Sequence, residues 1–241
     1  MTQLSIVLPC YNEGENLLNV VKDYQLCCQN REEVELILVD NGSQDETPQL
    51  LKKLLDDPHP FKLKVVTVAQ NKGLGDGVMR GMQQAEGTYV AWSHADLQTP
   101  AKDVFALYDR LQQEPNAEHC FGKGFRTNDR GGDGLMTRLH TLCSRVILGY
   151  QMYEIYAQPK LFHRSFLDEL KSHPEGFELD TFAFYKAMIL KRPIIVVPVH
   201  FLARQAGESK WSTTSLSRLR FMARNFFYLI ELRLRRLSGR L

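Results

Sequence analysis

The feature that most constrains the fold is an alternation through the first half of the chain. Short β-branched runs alternate there with segments whose apolar residues recur at helical spacing. Strands are predicted at 4–8, 35–39, 64–69, 89–93 and 119–123, and helices at 16–29, 47–55, 77–85 and 100–113. Because helical crossovers connect parallel strands, the alternation predicts an α/β fold with a mostly parallel sheet flanked by helices.

The second half is less regular. A glycine-rich loop at 131–134 precedes a predicted helix at 135–148, and strands are predicted at 160–163 and 194–201. The final predicted helix, 215–237, has one apolar side flanked by arginines. That side comprises Leu219, Met222, Phe226, Leu229 and Ile230. We therefore expect a catalytic domain over 1–214 and a basic amphipathic helix over 215–241, which either lies on a membrane or packs on the core through Phe226, Phe227 and Leu229.

Charge is distributed unevenly. The segment 204–241 holds nine Lys or Arg against Glu208 and Glu231, a balance of +7, which leaves −5 for the rest because the whole chain carries +2. Such a segment favours a polyanionic partner. Its arginines lie beside long aliphatic and aromatic residues and no nucleic-acid motif is present, so we expect an anionic membrane surface and no nucleic acid.

Three absences bear on localisation. No export signal opens the chain, no run of about 18 apolar residues is present, and the five cysteines form neither a zinc pattern nor an even set. We expect a cytoplasmic protein that associates peripherally with the cytoplasmic face of a membrane.

Polar residues follow the first two predicted strands. LSIVLPCYNEGENL places Pro9, Tyr11 and Glu13 at a strand-to-helix turn, and LILVDNGSQDET places Asp40 at a strand tip. An acidic residue at such a tip accepts hydrogen bonds from a ribose or a base. Ser43 begins a segment with capping-box spacing, which predicts a structural role for that residue.

Two further loops follow the third and fourth strands. NKGLGDGVMRG contains Asn71 and Gly73 in a glycine-lined turn that lets a nucleotide approach the backbone, whereas its GxGxG run fits a dinucleotide fingerprint poorly. AWSHADLQTP delivers His94, Asp96 and Gln98 to one side of an extended segment. Hard oxygen ligands there predict Mg²⁺ or Mn²⁺ held against a diphosphate, although a capped helix start with a surface Asp is the structural alternative.

The order and spacing of these motifs resemble the family 2 glycosyltransferases of GT-A fold, closest to the dolichyl-phosphate mannose synthase and polyprenyl-phosphate glycosyltransferase branch. The resemblance includes GFR at 124–126 and HFLARQAGESK at 200–210. It implies a UDP- or GDP-sugar donor, with Mn²⁺ or Mg²⁺ at the DxD-like segment. That branch usually reads Asp-Ala-Asp-x-Gln, where this chain has His94 first. The donor residues so implied are Pro9, Tyr11, Glu13, Asp40, Asn71, Gly73, His94 and Asp96, with Asp96 and Gln98 on the metal.

The resemblance also implies basic residues that hold an acceptor phosphate. They are Lys123, Arg126, Arg138, Arg204 and Lys210, of which Arg126 and Arg204 are assigned to catalysis. For Lys123 and Arg138, solvated surface cations are an equal alternative. Asp180 falls where members with sugar acceptors carry a base, which a hydroxyl acceptor needs and a phosphate does not. Asp180 could otherwise position the acceptor or cap a helix that begins at Thr181.

These observations predict transfer of a sugar to a polyprenyl phosphate by metal-assisted inverting displacement. One alternative is a glycosyltransferase that extends a polysaccharide or glycan chain with Asp180 as base. A second, of another class, is a non-catalytic protein that binds a nucleotide or nucleic acid.

Overall fold

The computed structural model describes residues 2–128, 132–202 and 215–241. Its strands are β1 (Leu4–Cys10), β2 (Val34–Asp40), β3 (Lys62–Thr67), β4 (Tyr89–Trp92), β5 (Phe121–Arg126), β6 (Lys160–His163) and β7 (Ile194–Val199). Its helices are α1 (Gly14–Cys27), α2 (Thr47–Asp56), α3 (Leu74–Gln83), α4 (Ala101–Gln112), α5 (Gly132–Leu148), α6 (Glu178–Ile189) and α7 (Ser215–Leu237). Short 3₁₀ turns lie at Ala117–His119 and Arg164–Leu170.

The strands form one sheet in the order β3-β2-β1-β4-β6-β5-β7. All pairings are parallel except those of β6, which runs antiparallel to both β4 and β5. The predicted α/β fold with a mostly parallel sheet is confirmed. The reversal of β6 was not predicted.

The burial of each strand follows from its place in the sheet. Every residue of β1 and β2 is buried, because helices cover both faces of the sheet there. The edge strand β3 is partly exposed and carries Lys62 and Lys64, which discourage pairing with another chain.

Two hydrophobic cores cover the two faces of the sheet. Helices α1, α2 and α4 contribute to one core. Helices α3, α5, α6 and α7 contribute to the other, which includes Tyr228, Leu229 and Leu232 of α7. Of the three α7 residues considered for core packing, Leu229 is buried, whereas Phe226 and Phe227 are exposed.

The capping of α2 and the first residue of α6 differ from the sequence prediction. Helix α2 begins at Thr47 with no side-chain cap, so the predicted capping box at Ser43 is wrong. Helix α4 begins at Ala101, whose N–H donates to Asp23 Oδ2 of α1 at 2.7 Å, so its first turn is capped from a neighbouring helix. Helix α6 begins at Glu178, which places Asp180 inside its first turn and corrects the predicted start at Thr181.

One edge of the sheet gathers most of the predicted functional residues. Parallel pairing brings together the carboxyl ends of β1, β2, β3 and β4, and β5 and β7 end at the same edge. Because β6 is reversed, its first residue, Lys160, lies there opposite Trp92 and Lys123. Ligands of open α/β sheets bind beyond this edge.

Candidate active site

The donor side of the site is formed where β1 and β2 end. Cys10 and Asp40 are register partners, and the N–H of Asn41 donates to the Cys10 carbonyl at 2.8 Å. Asp40 is buried, and its Oδ1 accepts from the Ser43 N–H at 2.9 Å. The structure thus places the Asp40 carboxylate at the predicted strand tip, with one oxygen occupied in closing the turn.

The loop after β1 is fastened to the loop before α2. The N–H of Glu13 donates to Thr47 Oγ1 at 2.9 Å, and the N–H of Asn12 donates to Ser43 Oγ at 3.1 Å. Both hydroxyls therefore bind across two loops, and for Ser43 this replaces the helix cap that the sequence predicted. Pro9 is buried within β1, while Tyr11 and Glu13 are half-buried in the loop.

The glycine run packs against protein. A Cβ on Gly73, whose φ is +138°, would lie 2.4 Å from the Glu175 carbonyl oxygen, and a Cβ on Gly75 would lie 2.4 Å from that of Pro174. The glycines therefore let the 174–176 segment approach α3, and their contact with a nucleotide stays a prediction.

Asn41 joins the two donor loops and was missed in the sequence. Its Nδ2 donates to the Gly73 carbonyl at 2.9 Å, and its side chain fills the space that a Cβ on Gly77 would need. Its buried Oδ1 has no partner among the described residues. The Asn71 backbone lies against Gly42 in the same region, which brings the loop of Asn71 to the turn after Asp40.

The segment after β4 is a loop. β4 ends at Trp92, and Leu97 has a φ of +59°, so the expected alternation of His94, Asp96 and Gln98 along an extended strand is wrong. Asp96 Oδ1 accepts from the Gln98 N–H at 3.1 Å, which closes a local turn. All three side chains are half-buried.

Gln98 ties this loop to the segment after β7. Its Nε2 donates to the Leu202 carbonyl at 3.2 Å, and its own carbonyl accepts from the Leu202 N–H at 2.9 Å. The His94 ring meets Phe201 edge-on, with centroids 6.4 Å apart. This loop follows β4, which lies two strands from β2 and so about 10 Å away across the sheet.

The donor atoms of this loop fit a divalent cation that also binds phosphate. Asp96 offers a half-buried carboxylate, and Gln98 uses its amide nitrogen on Leu202, which leaves the amide oxygen. Hard oxygens suit Mg²⁺ and Mn²⁺. Across the described ranges no group of three His, Cys, Asp or Glu side chains could hold a metal by itself, so phosphate oxygens would have to complete the set.

The acceptor side contains a buried ion pair. Lys160 Nζ lies 3.0 Å from Asp180 Oδ1, with the two side chains 0% and 2% exposed. Gln158 Nε2 donates to the same carboxylate at 3.0 and 3.3 Å, and Lys160 also donates to the Ala157 carbonyl. Burial lowers the pKa of Lys160, whereas Asp180 acts to raise it.

Lys123 lies beside this pair inside the molecule. Its Nζ donates to the Gly124 carbonyl at 2.8 Å and sits 5.4 Å from the centroid of the Phe184 ring. Burial lowers the pKa of Lys123 well below its ordinary value, and Lys160 lowers it further. The surface-cation alternative is therefore wrong for Lys123, and its burial argues against contact with an acceptor phosphate.

Arg126 ends β5 at the site edge. Its Nε donates to Glu154 Oε2 at 2.6 Å, and its guanidinium lies 5.3 Å from the centroid of Phe201. Phe201 thereby connects Arg126 to His94. Arg138 is exposed on α5, whereas Arg204 and Lys210 lie outside the described residues.

The sequence analysis missed Lys160, Gln158 and Glu154 on the acceptor side. The sequence did hold a signal for Lys160, which opens the apolar run KLF. A charged residue at the start of a strand lies at the edge of the sheet where strands begin or end. Glu154 carried no such signal. Its φ of +44° is unfavourable for a side chain of this kind and orients the carboxylate toward Arg126.

Cavity size does not locate this site. A concavity of about 580 Å³ lies at the opposite edge of the sheet, between 86–88 and 163–168, away from the strand ends described above. A smaller one of about 400 Å³ borders the donor loops and is lined by Asn12, Glu13, Glu15, Asn16, Asp45 and Glu46. The candidate site lies at the carboxyl ends of the strands, where the paired functional groups are found.

A protein-family model described as glycosyl transferase family 2 matches residues 5–192. Curated relatives include two undecaprenyl-phosphate 4-deoxy-4-formamido-L-arabinose transferases. That of Pseudomonas fluorescens strain SBW25 is 30% identical over 90% of this chain and 62% of its own length. That of Enterobacter sp. strain 638 is 27% identical over 91% and 65%. The chain thus spans slightly less than two thirds of these relatives.

Solved structures share the fold at lower identity. Glucosyl-3-phosphoglycerate synthase from Mycobacterium tuberculosis, in complex with Mg²⁺ and UDP, has a TM-score of 0.72 and 22% identity, covering 96% of this chain and 79% of that one. A mannosyltransferase from Pyrobaculum calidifontis, in complex with GDP-Man and Mn²⁺, has a TM-score of 0.69 and 17% identity, covering 95% and 64%.

Proposed function

The chain belongs to glycosyl transferase family 2, and we propose that it transfers a sugar from a UDP- or GDP-sugar to a polyprenyl phosphate. The names of the curated relatives support this class of acceptor. Structural neighbours crystallised with UDP and with GDP-Man support a nucleotide-sugar donor.

The buried Lys160–Asp180 pair is the observation that favours a phosphate over a hydroxyl acceptor. A carboxylate that is almost fully buried, ion-paired and hydrogen-bonded by Gln158 is poorly placed to take a proton from an acceptor hydroxyl. A phosphate acceptor is already anionic near neutral pH and needs no base. Asp180 then keeps Lys160 and the start of α6 in place, a role that differs from the acceptor positioning considered from the sequence.

The remaining residues divide the reaction between two sides of the edge. On the donor side, Asp40 accepts a hydrogen bond from the nucleoside, and Asn41 orients the neighbouring loops. On the acceptor side, Arg126 ends β5 where the phosphate would arrive, with its side chain held by Glu154. One phosphate oxygen attacks the anomeric carbon as the bond to the nucleoside diphosphate breaks on the opposite face, which inverts the configuration.

Asp96 and Gln98 would hold Mg²⁺ or Mn²⁺ in this scheme. The cation would offset the charge that develops on the departing nucleoside diphosphate. His94, the departure from the DxD-like pattern, borders Phe201 and we assign it to the ribose side.

Membrane contact is part of the proposal, since a polyprenyl phosphate resides in a lipid bilayer. In the described ranges no helix has both the length and the apolar character required to cross a membrane. We propose that the basic helix α7 contacts an anionic bilayer and that the protein acts at its cytoplasmic face.

Turnover of two acceptors tests the proposed class. Nucleoside diphosphate release is measured with a short, water-soluble prenyl phosphate and with an oligosaccharide, in the wild type and in Asp180→Asn. We expect turnover with the prenyl phosphate that falls less than about tenfold in the variant, because general bases typically contribute about 10² to 10⁴.

A second variant controls for the buried charge left behind. Removing one partner of a buried pair costs about 3–5 kcal/mol, so Asp180→Asn alone could unfold. Asp180→Asn/Lys160→Met removes both charges. A wild type that turns over only the oligosaccharide, together with a folded variant that has lost this turnover, would favour glycan extension with Asp180 as base. Donor binding without turnover on either acceptor would favour a non-catalytic protein.

A further inference from the structure

Helix α7 buries Asn225 together with Tyr228, Leu229 and Leu232, and its opposite face exposes large apolar groups. Asn225 is buried and its Oδ1 accepts from the Tyr156 hydroxyl at 2.5 Å, while Arg224 pairs with the buried Glu178 of α6. The opposite face exposes Phe226, Phe227, Ile230, Leu234 and Leu237. At 100° per residue these five side chains fall within one sector of about 100°.

Helix α5 carries a second exposed apolar stripe. Leu139, Leu142 and Val146 recur at helical spacing and are 47%, 56% and 76% exposed. The inner side of α5 packs through Leu148 on the same core that α7 covers. Helices α5 and α7 contact each other over this core, so the two exposed stripes lie on neighbouring elements.

Charge around this surface matches anionic lipid. Helix α7 contains six arginines and one glutamate, and that glutamate, Glu231, is paired with Arg235 at 2.6 Å. Arg233 is exposed on α7, and Arg138 and Arg145 are exposed on α5. Cations beside a wide apolar stripe are the pattern of helices that lie at the headgroup boundary.

The same helices adjoin the acceptor side. Helix α5 follows β5, which ends at Arg126, and α7 contacts α6 beside Asp180 through Glu178. Tyr156, which binds Asn225, also lies 3.4 Å from Thr181. A bilayer that covered both helices would therefore lie close to the groups that receive the acceptor phosphate.

We propose that α5 and α7 together form one docking surface for an anionic bilayer, which we call the α5/α7 face: Leu139, Leu142, Val146, Phe226, Phe227, Ile230, Leu234 and Leu237. This deepens the proposed function, on which it rests for the lipid acceptor. It adds α5, which the sequence did not single out.

Sedimentation with vesicles tests the α5/α7 face. The full chain is mixed with vesicles of phosphatidylglycerol and phosphatidylcholine, and with phosphatidylcholine alone. We expect binding to the anionic vesicles that weakens with salt, and at least about tenfold weaker partition for both Leu142→Ser/Val146→Ser and Phe227→Ser/Leu234→Ser. The matched control is Leu18→Ser/Leu26→Ser on α1, where equally exposed leucines contribute to the opposite side of the molecule.

Three results would overturn the inference. Wild-type vesicle binding by the α5 variant would restrict docking to α7. Equal loss in the α1 variant would make the effect nonspecific. A wild-type dimer by light scattering that becomes a monomer in both variants, with vesicle binding unchanged, would identify a second copy of this chain as the occupant. Turnover of the short prenyl phosphate distinguishes failure of the proposed reaction from failure of membrane docking. A wild type that binds vesicles but does not turn over this acceptor contradicts the proposed acceptor and leaves the docking surface standing.

Discussion

Asp40 is the single residue whose change should affect donor binding most selectively. Asp40→Asn keeps an oxygen for the Ser43 N–H but replaces the second carboxylate oxygen with a donor. We expect donor affinity measured by calorimetry to fall about 10- to 100-fold, the range for a hydrogen bond to a charged group, with a smaller change in turnover at saturating donor. Asp57→Asn, in an exposed position, is the control. An unchanged dissociation constant would remove Asp40 from nucleoside recognition.

Substitutions of His94 and Asp96 test whether the reaction depends on a metal. With His94 on the ribose side, Asp96 is the main anionic contact to the metal, so we expect activity to approach background in Asp96→Ala. A preference for Mn²⁺ over Mg²⁺ would show that the His94 imidazole also reaches the metal, since imidazole is a poor ligand for Mg²⁺ and a better one for Mn²⁺. His94→Ala should retain part of the activity, and His94→Asp should shift the preference toward Mg²⁺. Assays after chelation, with each metal restored separately, check these outcomes. Full activity in chelator would contradict the metal-assisted reaction.

His140 makes stability depend on pH. Burial beside Tyr156 lowers its pKa from 6.5 to about 4. Above pH 6.5 the ring is neutral in both states, whereas between 6.5 and 4 the unfolded chain binds a proton that the folded protein does not. The free energy of unfolding should therefore fall by up to about 3 kcal/mol as pH drops through this window.

Urea unfolding at a series of pH values measures this contribution of His140. The difference in free energy of unfolding between wild type and His140→Phe separates the contribution of His140 from that of carboxylates that titrate in the same pH range. His119→Phe, at an exposed position, is the control. Parallel curves for wild type and His140→Phe would show that the ring does not contribute.

At the scale of elements, Gly75 fixes how α3 packs. A Cβ there would meet the backbone carbonyl of Pro174, which has no flexible end that can move aside. Gly75→Ala should lower the free energy of unfolding by about 1–3 kcal/mol, the usual cost of overpacking. Gly134→Ala is the control, since nothing lies within 4 Å of its Cβ position, and denaturant melts that overlay for the two variants would contradict the close approach.

Elements with strong local patterns were predictable. The apolar runs of β1 and β2 and the helices between strands appear in the sequence because each is defined by neighbours along the chain. The direction of β6 was not, since a strand has the same side-chain period whichever way it runs. The Lys160–Asp180 pair was missed for a related reason: the partners are far apart in sequence and meet only when β6 and α6 pack.

The site shows the same division. Asp40 and Asp96 were predictable as polar residues that follow apolar strands. The roles of Ser43 and Thr47 were not, because each had a plausible local partner in a helix cap and instead binds the loop after β1. Tertiary contacts between loops override such local preferences.

For the molecule as a whole, α7 belongs to the folded core. Leu229 and Leu232 are fully buried and Tyr228 nearly so. Burial of each such side chain contributes about 1.5–3 kcal/mol, so a chain ended at 214 should lose several of the roughly 5–15 kcal/mol that domains typically have. Calorimetry should show a lower Tm, and an unchanged Tm would show that the helix packs without stabilising the rest.

The reversed strand β6 has a consequence for how such enzymes can diversify. On one side of it lie β1 to β4, with the groups that we propose bind the nucleotide. On the other lie β5 and β7, with the groups that we propose bind the acceptor. The two sets touch the sheet through different strands, with the DxD-like loop at the junction, so exchange of the segment 118–202 between related chains should change what is glycosylated while the donor is kept. The reversal of β6, which pairs antiparallel with both β4 and β5, would then make acceptor choice a modular property.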